Sequence, residues 1–170
     1  MDEGASPILP PAVATTAALL PTRPDETRLV FRGMRRHLFA HGWTCVEEVP
    51  LASGRRADIV AINHAGLIAI IEVKSSIEDF RTDQKWPDYR AHADWLFFAT
   101  TPRVPQDIFP SDCGLYIADG YGAALIREAP EHRMPAATRK SLLVRLTRLA
   151  SARLIGQIDP GATAGFADGT

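Results

Sequence analysis

Two carboxylates and a lysine interrupt otherwise apolar runs of this chain: Arg56-Ala57-Asp58-Ile59-Val60, then Ile71-Glu72-Val73-Lys74. A charge inside an apolar strand is expensive unless it is paired or coordinates an ion. Glu72 and Lys74 are two residues apart, so on a strand both side chains leave the same face. Paired Asp and Glu oxygens suit Mg2+ or Mn2+, and the lack of clustered Cys or His argues against Zn2+. The chemistry open to such a set is metal-assisted hydrolysis. Asp58 and Glu72 would hold an ion that lowers the pKa of a bound water. Lys74 would orient that water or stabilise charge growing in the transition state. The rival reading is a structural ion pair of Lys74 with Glu72 or Asp58 on an exposed strand end.

The turn between the two runs sets their register. His64-Ala65-Gly66 fits a three-residue hairpin loop whose last residue is left-handed, a conformation glycine tolerates best. That loop places Asn63 opposite Leu67, and counting back sets Asp58 directly across from Glu72. Directly opposed residues share a face, and like charges so placed destabilise a sheet unless something neutralises them. A loop of another length would turn Glu72 away from Asp58.

The elements that must carry these residues are legible in the hydrophobic period. Asp25 to His41 reads as a helix, with Leu29, Met34 and Leu38 near one face and Arg32, Arg35 and Arg36 largely away from it. Trp43 to Leu51, Ala57 to Asn63 and Leu67 to Lys74 read as strands, the last two covered on both faces. Ser75/Glu78 and Ser76/Asp79 are spaced as capping boxes for a second helix running toward Trp86, which Pro87 ends or kinks. Asp94 to Thr100 is a further buried strand. Leu115 to Ala118 and Ala123 to Arg127 form a short hairpin, and a last helix runs from about Pro135 to Ile155. This order predicts an α/β protein with a mixed central β-sheet flanked by helices.

Of 170 residues, 46% are apolar and 23% charged, and the net charge of −1 excludes a globally basic nucleic-acid binder. Any such surface must be a local patch. Cys45 and Cys113 have no metal-ligand spacing and read as free thiols of a reducing compartment. No run approaches membrane-spanning length, and the start lacks a basic signal region, so a cytoplasmic protein with no membrane partner is expected. Residues 1–24, rich in Pro and Ala, and residues 156–170, rich in Gly and Ala, are expected to be disordered tails around a folded domain of residues 25–155.

The Asp58…Glu72-Val73-Lys74 pattern resembles the signature of the PD-(D/E)XK nuclease superfamily, and the helix, three strands, helix, strand order resembles its restriction-endonuclease-like core. Within it the chain resembles the MmcB-like DNA repair proteins. That likeness runs through Gly54-Arg55-Arg56-Ala57-Asp58, Glu72-Val73-Lys74-Ser75-Ser76, Glu78-Asp79-Phe80-Arg81, Asp83-Gln84-Lys85-Trp86-Pro87 and Gly114-Leu115 through Ala118 to Ala123. It covers most of residues 25–155 and departs at Ala57, where the superfamily often has Pro. The resemblance implies Mg2+ or Mn2+ held by Asp58 and Glu72, and hydrolysis of DNA phosphodiester bonds with Lys74 as a catalytic residue. It also implies structure-specific or damaged DNA as partner and a nucleoid-associated location. A non-cleaving DNA-binding or scaffolding repair protein of the same fold is the alternative. RNA as substrate and a homodimeric state stay open.

Superfamily members often carry another acid on the first helix or strand, for which Glu48, Glu47 and Glu26 are candidates, Glu48 foremost. Gln84 and Lys85 lie on the segment after the catalytic strand, where polar residues often face phosphate. Arg55 and Arg56 sit just before Asp58, placed for phosphate contacts. The last helix carries Arg139, Lys140, Arg145, Arg148 and Arg153 with no acid, and Arg145 and Arg148 are taken as DNA-backbone contacts. His37 and His41 have a spacing that can bind metal but lack a third ligand, so a helix-surface or packing role is expected.

Overall fold

The computed structural model describes residues 23–83 and 85–163. Helix α1 spans Arg23–Ala40, with Val30, Met34 and Leu38 buried. Three strands follow, β1 (Trp43–Pro50), β2 (Arg56–Asn63) and β3 (Ile68–Lys74). A crossover through α2 (Ile77–Thr82) and a 3-10 helix (Trp86–His92) leads to β4 (Trp95–Thr100). Then come β5 (Gly114–Ala118), β6 (Ala123–Arg127) and α3 (Ala136–Ile158).

The six strands lie in chain order, β1-β2-β3-β4-β5-β6. β3, β4 and β5 are parallel, and β1-β2, β2-β3 and β5-β6 are antiparallel, the mixed sheet that the order of elements predicts. Every residue of β3 is buried, as its near-continuous apolar run requires of a strand covered on both sides. One face carries Val60, Ile70, Leu96 and Phe98 and is covered by α3, the 3-10 helix and Phe80 of α2. The other carries Ile59, Ile71, Phe97 and Ala99 and is covered by α1. Gly33 lets α1 dock against the β5-β6 turn. A Cβ there would stand 2.0 Å from the Asp119 carbonyl oxygen.

Two boundaries move. α1 begins at Arg23. α3 continues three residues past Ile155, where the Asp159 amide closes it by donating to the Ile155 carbonyl at 2.7 Å. Residues 156–158, expected to open a tail, thus complete the helix, and Pro160–Thr163 form a 3-10 turn just beyond its Asp159 cap. The remaining tail residues, 1–22 and 164–170, lie outside the described residues. The second helix is also shorter than its pattern suggests. α2 stops at Thr82, because the Asp83 carboxylate turns back to Lys74 and to the Lys85 amide. Pro87 therefore opens the following 3-10 helix instead of ending α2.

Candidate active site

The hairpin between β2 and β3 builds the site. The Asn63 side chain accepts from the Ala65 and Leu67 amides, both at 3.0 Å, and Gly66 takes the left-handed conformation at φ 74°. The Asn63 amide then donates to the Leu67 carbonyl, and the ladder runs Ile62↔Ile68 back to Ile59↔Ile71. The next step of that register sets Asp58 against Glu72, as the loop length predicts.

At that step carboxylates take over from the main chain. The Asp58 amide donates to Glu72 Oε1 at 3.2 Å, and the Val73 amide donates to Asp58 Oδ2 at 2.8 Å. Both acids share the Val60–Ile70 face. Glu72 is only 2% exposed. Burial, and then the charge of Asp58, push its carboxyl up to about 8. Burial also raises Asp58, against the opposing pull of the Val73 amide and Lys74. A buried and a half-buried carboxylate side by side therefore resist joint ionisation.

Lys74 leaves the same face. Its Nζ lies 4.0 Å from Glu72 Oε2 but donates to Asp83 Oδ2 at 2.6 Å. Burial works against the Lys74 charge, yet the Asp83 hydrogen bond and the surrounding acids outweigh it and raise its pKa. Burial likewise opposes ionisation of Asp83, but Lys74 and the Lys85 amide hold its carboxyl below the usual range. Asp83 is one residue whose role at the site sequence reasoning missed. It lies nine positions beyond Lys74 and reaches it only because α2 is short. Tyr89 was missed too. Its hydroxyl donates to the Arg56 carbonyl at 3.0 Å, and burial, followed by the charges of Glu72, Asp83 and Asp58, raises its pKa.

The capping signal resolves to one box. Ser76 Oγ accepts from the Asp79 amide at 3.1 Å, and Asp79 Oδ2 accepts from the Ser75 amide at 3.3 Å. Ser75 instead accepts from the Thr27 hydroxyl, tying α1 to the end of β3.

The other candidates are distributed unevenly. Glu48 stands at the register position opposite Asp58, but its φ of 49° interrupts the β1-β2 ladder there. Its exposed carboxylate pairs with Arg56 at 3.5 Å. Glu47 turns to the α1 side and pairs with Arg35 at 2.7 Å, and Glu26 pairs with Arg103. Arg55 donates to Asp88 at 3.0 Å. Lys85 is exposed beside Asp83, and Gln84 lies outside the described residues.

α3 runs along the sheet from the hairpin end toward the end that carries the site. Arg139 grips Asp94 through two 2.7 Å bonds near its start, and Arg153 donates to the Glu47 and Glu48 carbonyls near its end. Those two bases are structural. Arg145 is half-buried and Arg148 exposed between them, with Leu142 and Leu146 on the buried side. The His37 and His41 rings meet at 4.2 Å, tilted by 31°, with His37 half-buried and His41 exposed, within the helix-surface or packing role expected of them.

The donor set suits a hard divalent cation, because a positive ion would relieve the repulsion between Asp58 and Glu72. Among the described residues no group of three His, Cys, Asp or Glu side chains is placed to hold a metal. Mg2+ is commonly bound through one or two carboxylates, with waters and substrate phosphate completing the shell. Among the described residues no helix is long and apolar enough to cross a membrane.

A protein-family model described as DNA repair protein MmcB-like matches residues 15–161. No curated protein matches the chain. Among solved structures it is similar to the SPO1766 protein of unknown function from Silicibacter pomeroyi. Identity is 38% and the TM-score 0.80, over 84% of this chain and 97% of that one.

Proposed function

This chain belongs to the MmcB-like DNA repair family, and from that premise we propose that it is a divalent-metal-dependent deoxyribonuclease acting at Asp58, Glu72 and Lys74. The observation that carries the reading is the exchange between Asp58 and Glu72, each carboxylate holding the other strand's backbone. It fixes two acids on one face beside a buried lysine, a pre-organised arrangement.

Asp58 and Glu72 would hold the Mg2+ or Mn2+ ion. When bound, that ion supplies Lewis-acid activation of a phosphodiester and of the attacking water. Asp58 keeps its carboxylate aligned through the Val73 amide, and Glu72 does so through the Asp58 amide. Lys74 keeps its charge through Asp83, so a cation stands ready to stabilise negative charge growing on the phosphate. Arg55, Arg56 and Lys85 lie on segments flanking the pair and offer backbone contacts, with Arg145 and Arg148 on α3 extending the track. Glu48 remains the further acid of this reading, brought opposite Asp58 by register and held by Arg56.

Incubation with single-stranded, duplex, forked and nicked DNA, each with Mg2+, Mn2+ or chelator, tests the reading. Metal-dependent cleavage of at least one DNA structure is expected. Binding without cleavage under every condition would leave a non-cleaving repair scaffold.

A further inference from the structure

The opposite face of the sheet holds a concavity, which the DNA chemistry does not use. Beyond the end of α1, the starts of β1 and β4 flank an open-mouthed cavity of about 410 Å3. Its walls are aromatic. Trp43 and Trp95 meet edge to face at 6.0 Å, Phe97 and Tyr116 lie 5.0 Å apart, and His37 meets Tyr116 at 5.2 Å. Trp43, Trp95 and Tyr116 are only half-buried. A concave aromatic surface of this size, left partly open to water, has the character of a small-molecule site.

The charge at its rim selects the ligand. Glu128 lines the cavity, is exposed, and forms no ion pair with a described residue. It lies close enough to Tyr116 to add, after burial, to the rise in the phenol's pKa. Burial and then His41, which also lines the cavity, hold His37 below its ordinary value, and Glu128 is the one carboxylate among the described lining residues. Aromatic faces attract cations through the ring quadrupole. An anion would meet Glu128, and a neutral ring would gain burial alone.

We propose that this cavity binds an organic cation of the quaternary or aryl-ammonium class, its charged head against the Trp43, Trp95 and Tyr116 rings and neutralised by Glu128. The site is independent of the cleavage chemistry, which lies on the other face.

The three tryptophans provide the test. Trp43 and Trp95 line the cavity, whereas Trp86 packs on Phe98 at 5.9 Å on the far face and serves as an internal control. The full chain is titrated with benzyltrimethylammonium, benzyl alcohol and benzoate while the indole N–H resonances are followed by NMR. Saturable shifts of Trp43 and Trp95 are expected, with Trp86 unmoved. The ammonium should bind about tenfold more tightly than the alcohol, and benzoate most weakly. Glu128→Gln, an exposed substitution that the fold tolerates, should bring the ammonium to within about twofold of the alcohol. Absence of a saturable shift, equal affinity for alcohol and ammonium, joint movement of all three indoles, or an unchanged preference in Glu128→Gln would each overturn the proposal. Contacts from residues 12–20 to Trp95 without ligand saturation would also overturn it, assigning the cavity to the chain's own N-terminal segment.

Discussion

Asp58 and Glu72 hold each other's strands: the amide of Asp58 donates to Glu72, and the carboxylate of Asp58 accepts from the amide just after Glu72. The backbone ladder ends one step earlier, at Ile59 and Ile71. Two acids therefore do the work of main-chain pairing at the edge of the site, and their charge state is coupled to strand geometry.

That coupling predicts a pH dependence. The Glu72 carboxyl is raised from about 4.5 to about 8 in the fold, first by burial and then by Asp58. A carboxyl raised in this way binds its proton more tightly when folded. Its contribution to stability is full below about pH 4.5 and is lost as pH rises toward about 8. Asp58, raised by burial, acts with the same sign. In chelator, thermal stability should fall across this window, and Glu72→Gln should flatten the fall. An unchanged slope in Glu72→Gln would separate the pH response from this residue.

Lys74 and Asp83 should divide binding from catalysis. Lys74→Met keeps the buried stem but removes the charge, so metal-dependent stabilisation should survive while cleavage falls about a hundredfold or more. Asp83→Asn leaves the lysine in place but releases its hold, and a loss of about tenfold is expected. Single-turnover cleavage rates on the preferred DNA decide the matter. A fully active Lys74→Met would remove this lysine from the reaction.

Asp94 gives a purely structural contrast. It is 1% exposed, accepts from the Ile68 amide at 2.8 Å and grips Arg139 with both oxygens. Asp94→Ala should cost about 3 kcal/mol, since breaking a buried pair strands its partner. Urea denaturation should show this loss at every metal concentration, and a loss below about 1 kcal/mol would contradict it.

The α3 bases give a prediction about salt. Arg139 and Arg153 are bound within the fold, and of the three remaining bases Arg145 and Arg148 lie further along α3 toward the site than Lys140. Replacing both with Gln should weaken DNA binding and reduce its log–log salt slope by about one unit per lost phosphate contact. An unchanged slope would return these two to an ordinary solvated helix face.

The site's two acids were legible because a short loop with a left-handed glycine fixes register locally, from Asn63 to Leu67, and register fixes the rest of the hairpin. The succession of elements along the chain followed from the same local periods, whereas the order of strands in the sheet did not. Asp83 was not legible for the opposite reason. Its partnership with Lys74 depends on where α2 ends, and the capping signals with Pro87 as the next breaker suggested that the helix ran on toward Trp86. Arg139 looked like one base in a stripe, because its partner Asp94 lies 45 residues away in sequence. Glu48 follows the register, but its left-handed backbone is a tertiary feature that strand alternation does not encode.

The most direct test of the central claim is calorimetric unfolding of wild type, Asp58→Asn and Glu72→Gln at pH 7.5 in chelator and across a Mn2+ titration, with cleavage assayed on the same samples. Mn2+ should raise the wild-type Tm in proportion to site occupancy. Both variants should fold, show no such rise and fail to cleave. In chelator they should melt at or above wild type, because each relieves the repulsion between the two acids. A metal-dependent rise in Tm that persists in both variants, or its absence from wild type together with no cleavage, would contradict a metal centre at Asp58 and Glu72.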